Sequence, residues 1–171
     1  MPRKPRKQVR NSATTTTTTA RASTFLPFAY RLTLLVLEPL FALNGALMVF
    51  RDPTGYAAGM TRNLELASRA YDPRANGFLY TQLGAAWLLF AFNEAVVLRL
   101  VDDLRIWRLL CWGMLISDVV FVISSAQAVG GWESFVQFGV WSAFDWAVFV
   151  STFGPMLVRV LVVLGIGVRK G

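Results

Sequence analysis

Four stretches of this chain are apolar for long enough to cross a lipid bilayer, and each holds an ionisable side chain away from its ends. They fall at about 28–50, 78–98, 107–129 and 146–168, and the residues concerned are Glu38, Glu94, Asp118 and Arg159. A helix rises ~1.5 Å per residue and the hydrocarbon core of a bilayer is ~30 Å thick, so stretches of this length span it. Apolar residues make up 55% of the chain and come in blocks rather than at helical or strand period; a soluble domain is nearer ~45–50%. These observations predict an all-α fold, a four-helix transmembrane bundle over 25–171. A short interfacial segment is expected in the 51–76 connection, and a disordered, basic, Thr-rich tail over 1–24.

Pro39 follows Glu38 in the middle of the first span, where it frees a carbonyl one turn earlier and kinks the helix. Asn44-Gly45-Ala46 offers small and polar contacts toward the far end. Asp52-Pro53 and Asp72-Pro73 mark turns at the two ends of the first connection. The 99–108 connection is tight and charged, with Arg99, Asp102, Asp103 and Arg105 at helix-neighbour spacings. Gly130-Gly131 closes the third span, and an aromatic lead-in precedes the fourth, with Asp145 expected at the interface and solvated. Trp87, Trp107, Trp112, Trp141 and Trp146 read as interface anchors or bundle packing; an aromatic cage for a cation is the sharper alternative.

Lys and Arg concentrate in the tail, the 99–108 connection and Arg169-Lys170, whereas the opposite flank holds Arg51, Arg62, Arg69 and Arg74. The positive-inside rule then places both termini in the cytosol. The expected location is the endoplasmic reticulum or another endomembrane. A mitochondrial membrane is the alternative, because the tail is basic, hydroxyl-rich and free of acids, although its Thr run and prolines spoil an amphipathic transit helix. The chain has no histidine and one cysteine, Cys111. That excludes His-based acid–base chemistry, His-ligated zinc or haem, Ser-His-Asp hydrolysis and an intramolecular disulfide. No cofactor and no metal is implied; Asp102-Asp103 is a loop charge cluster, weak as a metal site. The expected partners are membrane lipids, a hydrophobic small molecule and a second copy of the chain. Nucleic acid is not expected, since no recognition fold accompanies the basic tail.

An acid or Arg at the centre of a membrane helix costs about 2.5–3.5 kcal/mol even on insertion scales. Glu38, Glu94, Asp118 and Arg159 must therefore face inward, pair or take up protons. In an antiparallel bundle Glu38 and Asp118 lie near the midplane, and Glu94 and Arg159 in the half nearer the termini. Similar depth pairs Arg159 with Glu94 as an orienting ion pair. One Arg does not neutralise three carboxylates, so at least one of Glu38 and Asp118 holds its proton and is a candidate donor. The competing reading is structural, with the four residues holding helices together.

The ordered set Glu38-Pro39, Ala42-Leu43-Asn44-Gly45-Ala46, Asp52-Pro53, Asn93-Glu94-Ala95, Leu98-Arg99, Asp102-Asp103-Leu104-Arg105-Ile106-Trp107 and Asp118 resembles a family of small uncharacterised fungal integral membrane proteins with about four spans. It covers roughly 25–168. The resemblance implies the fold and brings no activity. That family often has a His three residues after the third-span Asp, where this chain has Phe121. A looser architectural analogy leads to the emopamil-binding and sigma-2 type of membrane bundle, which places acids inside a lipid-accessible helical pocket. Three functional readings compete: a membrane bundle whose charges serve packing; a protein that binds or transforms a lipid, sterol or terpenoid, with Asp118 or Glu38 as proton donor and Glu94–Arg159 as the orienting pair; and a proton-coupled transporter or channel subunit.

Overall fold

The structure is a computed structural model and describes residues 21–168. A short helix α1 (Ala22–Phe25) precedes α2 (Phe28–Arg51), and two small helices, α3 (Pro53–Thr61) and α4 (Leu64–Ala70), make the first connection. Next, α5 (Gly77–Leu100) turns tightly into α6 (Leu104–Ala128). A single turn, α7 (Trp132–Phe135), and a 3-10 turn (Phe138–Val140) then lead into α8 (Ala143–Leu164). No strand occurs among the described residues. Helices α2, α5, α6 and α8 are the ones long and apolar enough to cross a membrane. Their outer faces are apolar, with Leu89 59%, Leu109 71%, Ile116 65% and Val150 60% exposed. In water such surfaces would drive association; in lipid they are the natural exterior. The described residues adopt the expected all-α architecture, with four helices long and apolar enough to cross a membrane.

The helix ends follow local chemistry. Asp103 caps α6 by accepting from the Arg105 N–H at 2.7 Å. Ser142 and Asp145 form a reciprocal capping box that starts α8 at Ala143, earlier than the hydropathy suggests. At the other end Gly165, with φ +71°, stops that helix at Leu164. Asp145 is correspondingly not a solvated interface residue. Besides capping α8 it takes an ion pair from Arg62 at 2.8 Å, and its side chain is 11% exposed. Residues 1–20 of the expected tail lie outside the described residues, while Ala22, near its end, is fully buried in α1.

Two of the long helices contain a π turn: Thr33–Leu37 in α2 and Asn93–Val97 in α5. There the Glu38 and Leu98 N–H groups reach the carbonyls of Thr33 and Asn93, one residue farther back than in an α-helix. The expected consequence of Pro39 is present in this wider form. In a regular helix, residue 39 would donate to the Leu35 carbonyl. Proline has no N–H to give, and the Arg99 guanidinium donates there instead, at 2.6 Å.

The helices associate in two antiparallel pairs, α2 with α5 and α6 with α8. In the first pair the fit is reciprocal. The Trp87 ring of α5 lies on Gly45 of α2, and the Phe50 ring of α2 lies on Gly84 of α5; a Cβ on either glycine would sit 1.2 Å or 2.4 Å from the ring. Between the pairs, α8 meets α2 around its π turn, and α3 bridges to α6 and α8. The solid core lies at the end where α2 and α6 begin. It is made of Ala22, Leu26, Leu34, Leu98, Trp107 and Cys111 with their neighbours. Trp107 is therefore a core residue rather than an interface anchor. It is 2% exposed, and its indole N–H donates to the Val101 carbonyl at 2.9 Å.

Candidate functional site

Beyond the solid core stands a polar node built from all four long helices. Arg159 of α8 is at its centre and fully buried. Its Nη2 donates to Glu94 Oε1 of α5 at 2.7 Å and to Glu38 Oε1 of α2, and its Nη1 donates to Asp118 Oδ2 of α6. The Met114 sulfur lies 3.7 Å from Nη2, and the Phe90 ring presents its face 5.5 Å from the guanidinium carbon. Glu94 is fully buried, whereas Glu38 and Asp118 keep 7% and 8% exposure.

The helix directions explain why residues at different depths meet. Side chains lean toward the N-terminus of their own helix. In α2 and α6 that tilt carries Glu38 and Asp118 toward the solid core. In the antiparallel α5 and α8 it carries Glu94 and Arg159 away from it, so the two pairs of side chains approach from opposite sides. The π turn in each of α2 and α5 ends beside Glu38 or contains Glu94, and the added residue re-aims the side chains that follow it.

The four residues singled out by sequence thus share one node, but the expected pairing by depth is too narrow. Arg159 does bond Glu94, and it bonds Glu38 and Asp118 as well. A guanidinium has five N–H donors in a rigid fork, which allows this sharing. Arg159 Nε has no acceptor, and Glu38 Oε2 and Glu94 Oε2 have no N–H or hydroxyl donor. The Glu38 and Glu94 carboxyls lie within hydrogen-bonding reach of each other, where one shared proton would join them. With all three acids ionised the node would hold surplus negative charge in a low-dielectric interior, so it must be completed by protons or by a cation.

The node forms part of the wall of a cavity of about 840 Å³ between the two helix pairs, on the side away from the solid core. This lies within the ~300–1,000 Å³ range of small-molecule sites. Glu38 and Asp118 line the cavity, while Glu94 and Arg159 stand behind them. Trp87 is its central aromatic group, edge-on to Tyr56 at 5.8 Å and to Phe121 at 6.1 Å. Asn44, Ser117, Ser124 and Ser151 supply scattered polar groups. Several wall residues, among them Phe41, Trp146 and Val150, are exposed large apolar side chains, so the cavity is not sealed.

Tyr56 was not anticipated. It comes from the connection, where α3 folds back over the cavity, and burial pushes its phenol up to about 12. The small-residue run Tyr56-Ala57-Ala58-Gly59 was the available signal for a helix that packs closely; Gly59 takes the Phe144 ring of α8 directly against its backbone.

A family model described as a domain of unknown function, DUF7704, matches residues 23–169. The chain belongs to that family. No curated protein and no solved structure matches the chain.

Proposed function

We propose that this member of the DUF7704 family is a multi-pass membrane protein that takes up a lipophilic small molecule into the cavity between its helix pairs, holding the polar end of that molecule at Glu38 and Asp118. The observation that carries this reading is the cavity of about 840 Å³, apolar and aromatic over most of its wall and acidic at one place. A node that served packing alone would be enclosed by side chains, whereas two of its acids face open space. The mostly apolar, unsealed wall suits a lipophilic ligand. The architectural analogy with emopamil-binding bundles agrees with this reading without adding to it.

The presence of two carboxyl side chains, Glu38 and Asp118, in the cavity wall favours a catalytic extension. A protonated carboxyl there would be placed to give its proton to an alkene or epoxide of the bound molecule, as in an isomerase or cyclase. Location in an endomembrane with both termini cytosolic is part of the same proposal. In its support, Arg31, Arg99, Arg105 and Arg108 gather at the end of the bundle where α2 and α6 begin.

The test is native mass spectrometry of the full chain in lipid nanodiscs, with solvent extraction of whatever accompanies it. A lipophilic molecule at near-equal ratio is expected, and it should be lost when Ala147, in the cavity wall, is replaced by Trp. Absence of any bound lipophile, both as purified and after exposure to a panel of sterols and isoprenoids, overturns the binding reading. Recovery of every bound compound chemically unchanged after prolonged incubation overturns the catalytic one.

A further inference from the structure

The charge pattern of the cavity deepens the ligand-binding reading, on which this inference rests. We propose that the polar end of the ligand is a cation, a protonated lipophilic amine whose N–H is held between Glu38 and Asp118. Three features of the wall converge on this class. First, among the described residues the cavity is lined by two acids and by no Lys or Arg. Arg159 sits behind those acids with its Nη1 and Nη2 groups already engaged. A fatty acid or a phosphate would add negative charge beside carboxylates with nothing to receive it.

Second, an acceptor is unfilled on the cavity side, at Asp118, which lines the wall beside Glu38 and keeps 8% exposure. Asp118 gives Oδ2 to Arg159, and its Oδ1 has no protein donor among the described residues. A neutral hydroxyl could fill one acceptor, but it would leave the surplus charge of the node in place. An ammonium fills an acceptor and supplies the missing positive charge, and a buried carboxylate gains most from a partner that does both.

Third, the space beside the acids is aromatic. Trp87, Phe90 and Phe121 line it, and aromatic faces attract a desolvated cation. Trp87 is fixed in place because its ring lies against the bare backbone of Gly45. Phe90 also presents a face to the Arg159 guanidinium behind the acids, a cation on an aromatic ring just outside the cavity.

The experiment compares three probes of one chain length, N,N-dimethyldodecylamine, dodecan-1-ol and dodecanoate. Each is titrated near neutral pH into the full chain in neutral phosphatidylcholine nanodiscs, with empty nanodiscs subtracted. The amine is expected to bind at least about tenfold (about 1.4 kcal/mol) more tightly than the alcohol, and dodecanoate more weakly than either. Asp118→Asn should reduce the amine-to-alcohol preference by about tenfold. If that variant does not fold, the wild-type preference alone decides. Alcohol binding equal to or tighter than amine overturns the cation and leaves the cavity reading standing. Binding of none of the three overturns both. A preference undiminished in both Asp118→Asn and Glu38→Gln would put the amine elsewhere and overturn the site.

Discussion

Removing Arg159 and removing one of its partners should have very different consequences. In Arg159→Met a side chain of similar length loses its charge, and three buried carboxylates lose their shared donor. Deleting one partner of a buried pair costs about 3–5 kcal/mol. Proton uptake by the stranded acids keeps the cost from multiplying by three. At ~2–4 °C per kcal/mol for a domain of this size, the apparent Tm should fall by on the order of 10 °C. In Glu94→Gln the amide oxygen still accepts from Nη2, whose bond to Glu94 is 2.7 Å long. The loss is then the difference between a charged hydrogen bond, about 1.5–3 kcal/mol, and a neutral one, about 0.5–1.5 kcal/mol. Removal of a negative charge beside Glu38 and Asp118 offsets much of it. The net cost should stay below about 1 kcal/mol, or within about 4 °C. The assay is thermal unfolding of both variants in the same nanodisc at one scan rate, because unfolding from a bilayer is read as a rate as much as an equilibrium. Equal damage from the two substitutions, or an undisturbed Arg159→Met, would refute the sharing of one guanidinium by three acids.

Two further outcomes follow from the end of the bundle where α2 and α6 begin. Asp102 accepts from the Ser23 N–H at 2.7 Å and from its hydroxyl at 2.6 Å, and these bonds hold its carboxyl below the usual carboxylate range. A depressed folded value means that this tether is present above about pH 4, the unfolded Asp value, and is lost as pH falls through the folded one. The Ser23 amide, corrected for intrinsic exchange, should therefore lose hydrogen-exchange protection on acidification; protection constant down to about pH 2 would remove the tether from the account. The proposed orientation predicts that a protease added to sealed, right-side-out microsomes cleaves a tag at either terminus, and a protected tag would reverse it.

Much of this fold was legible because its signals are local. Each span carries its own apolar run, and Glu38, Glu94, Asp118 and Arg159 are conspicuous against it wherever the helices cross. What could not be read was set by several elements at once. Matching depth by backbone position paired Arg159 with Glu94 alone, since residue numbers register neither side-chain lean nor the reach of a guanidinium. Thr33–Leu37 and Asn93–Val97 have ordinary helix-forming composition, and the widening of each turn depends on its neighbours. The cavity is a difference between helix volumes and helix spacing, which no single stretch encodes. The Ser142–Asp145 box is different: its capping spacing is a local signal in the sequence that sets the start of α8 ahead of the apolar run.

Arg99 deserves a last consequence. By bonding the Leu35 carbonyl that Pro39 leaves vacant, it fastens the closing turn of one helix to the irregular turn of another. The hairpin is thus clasped on the solid side by Arg99, and at the hollow end Arg62 ties the connection after α2 to Asp145 at the start of α8 and to the Ser134 carbonyl. A molecule held at both ends in this way keeps its hollow middle open without help from a guest, because neither tie passes through the cavity.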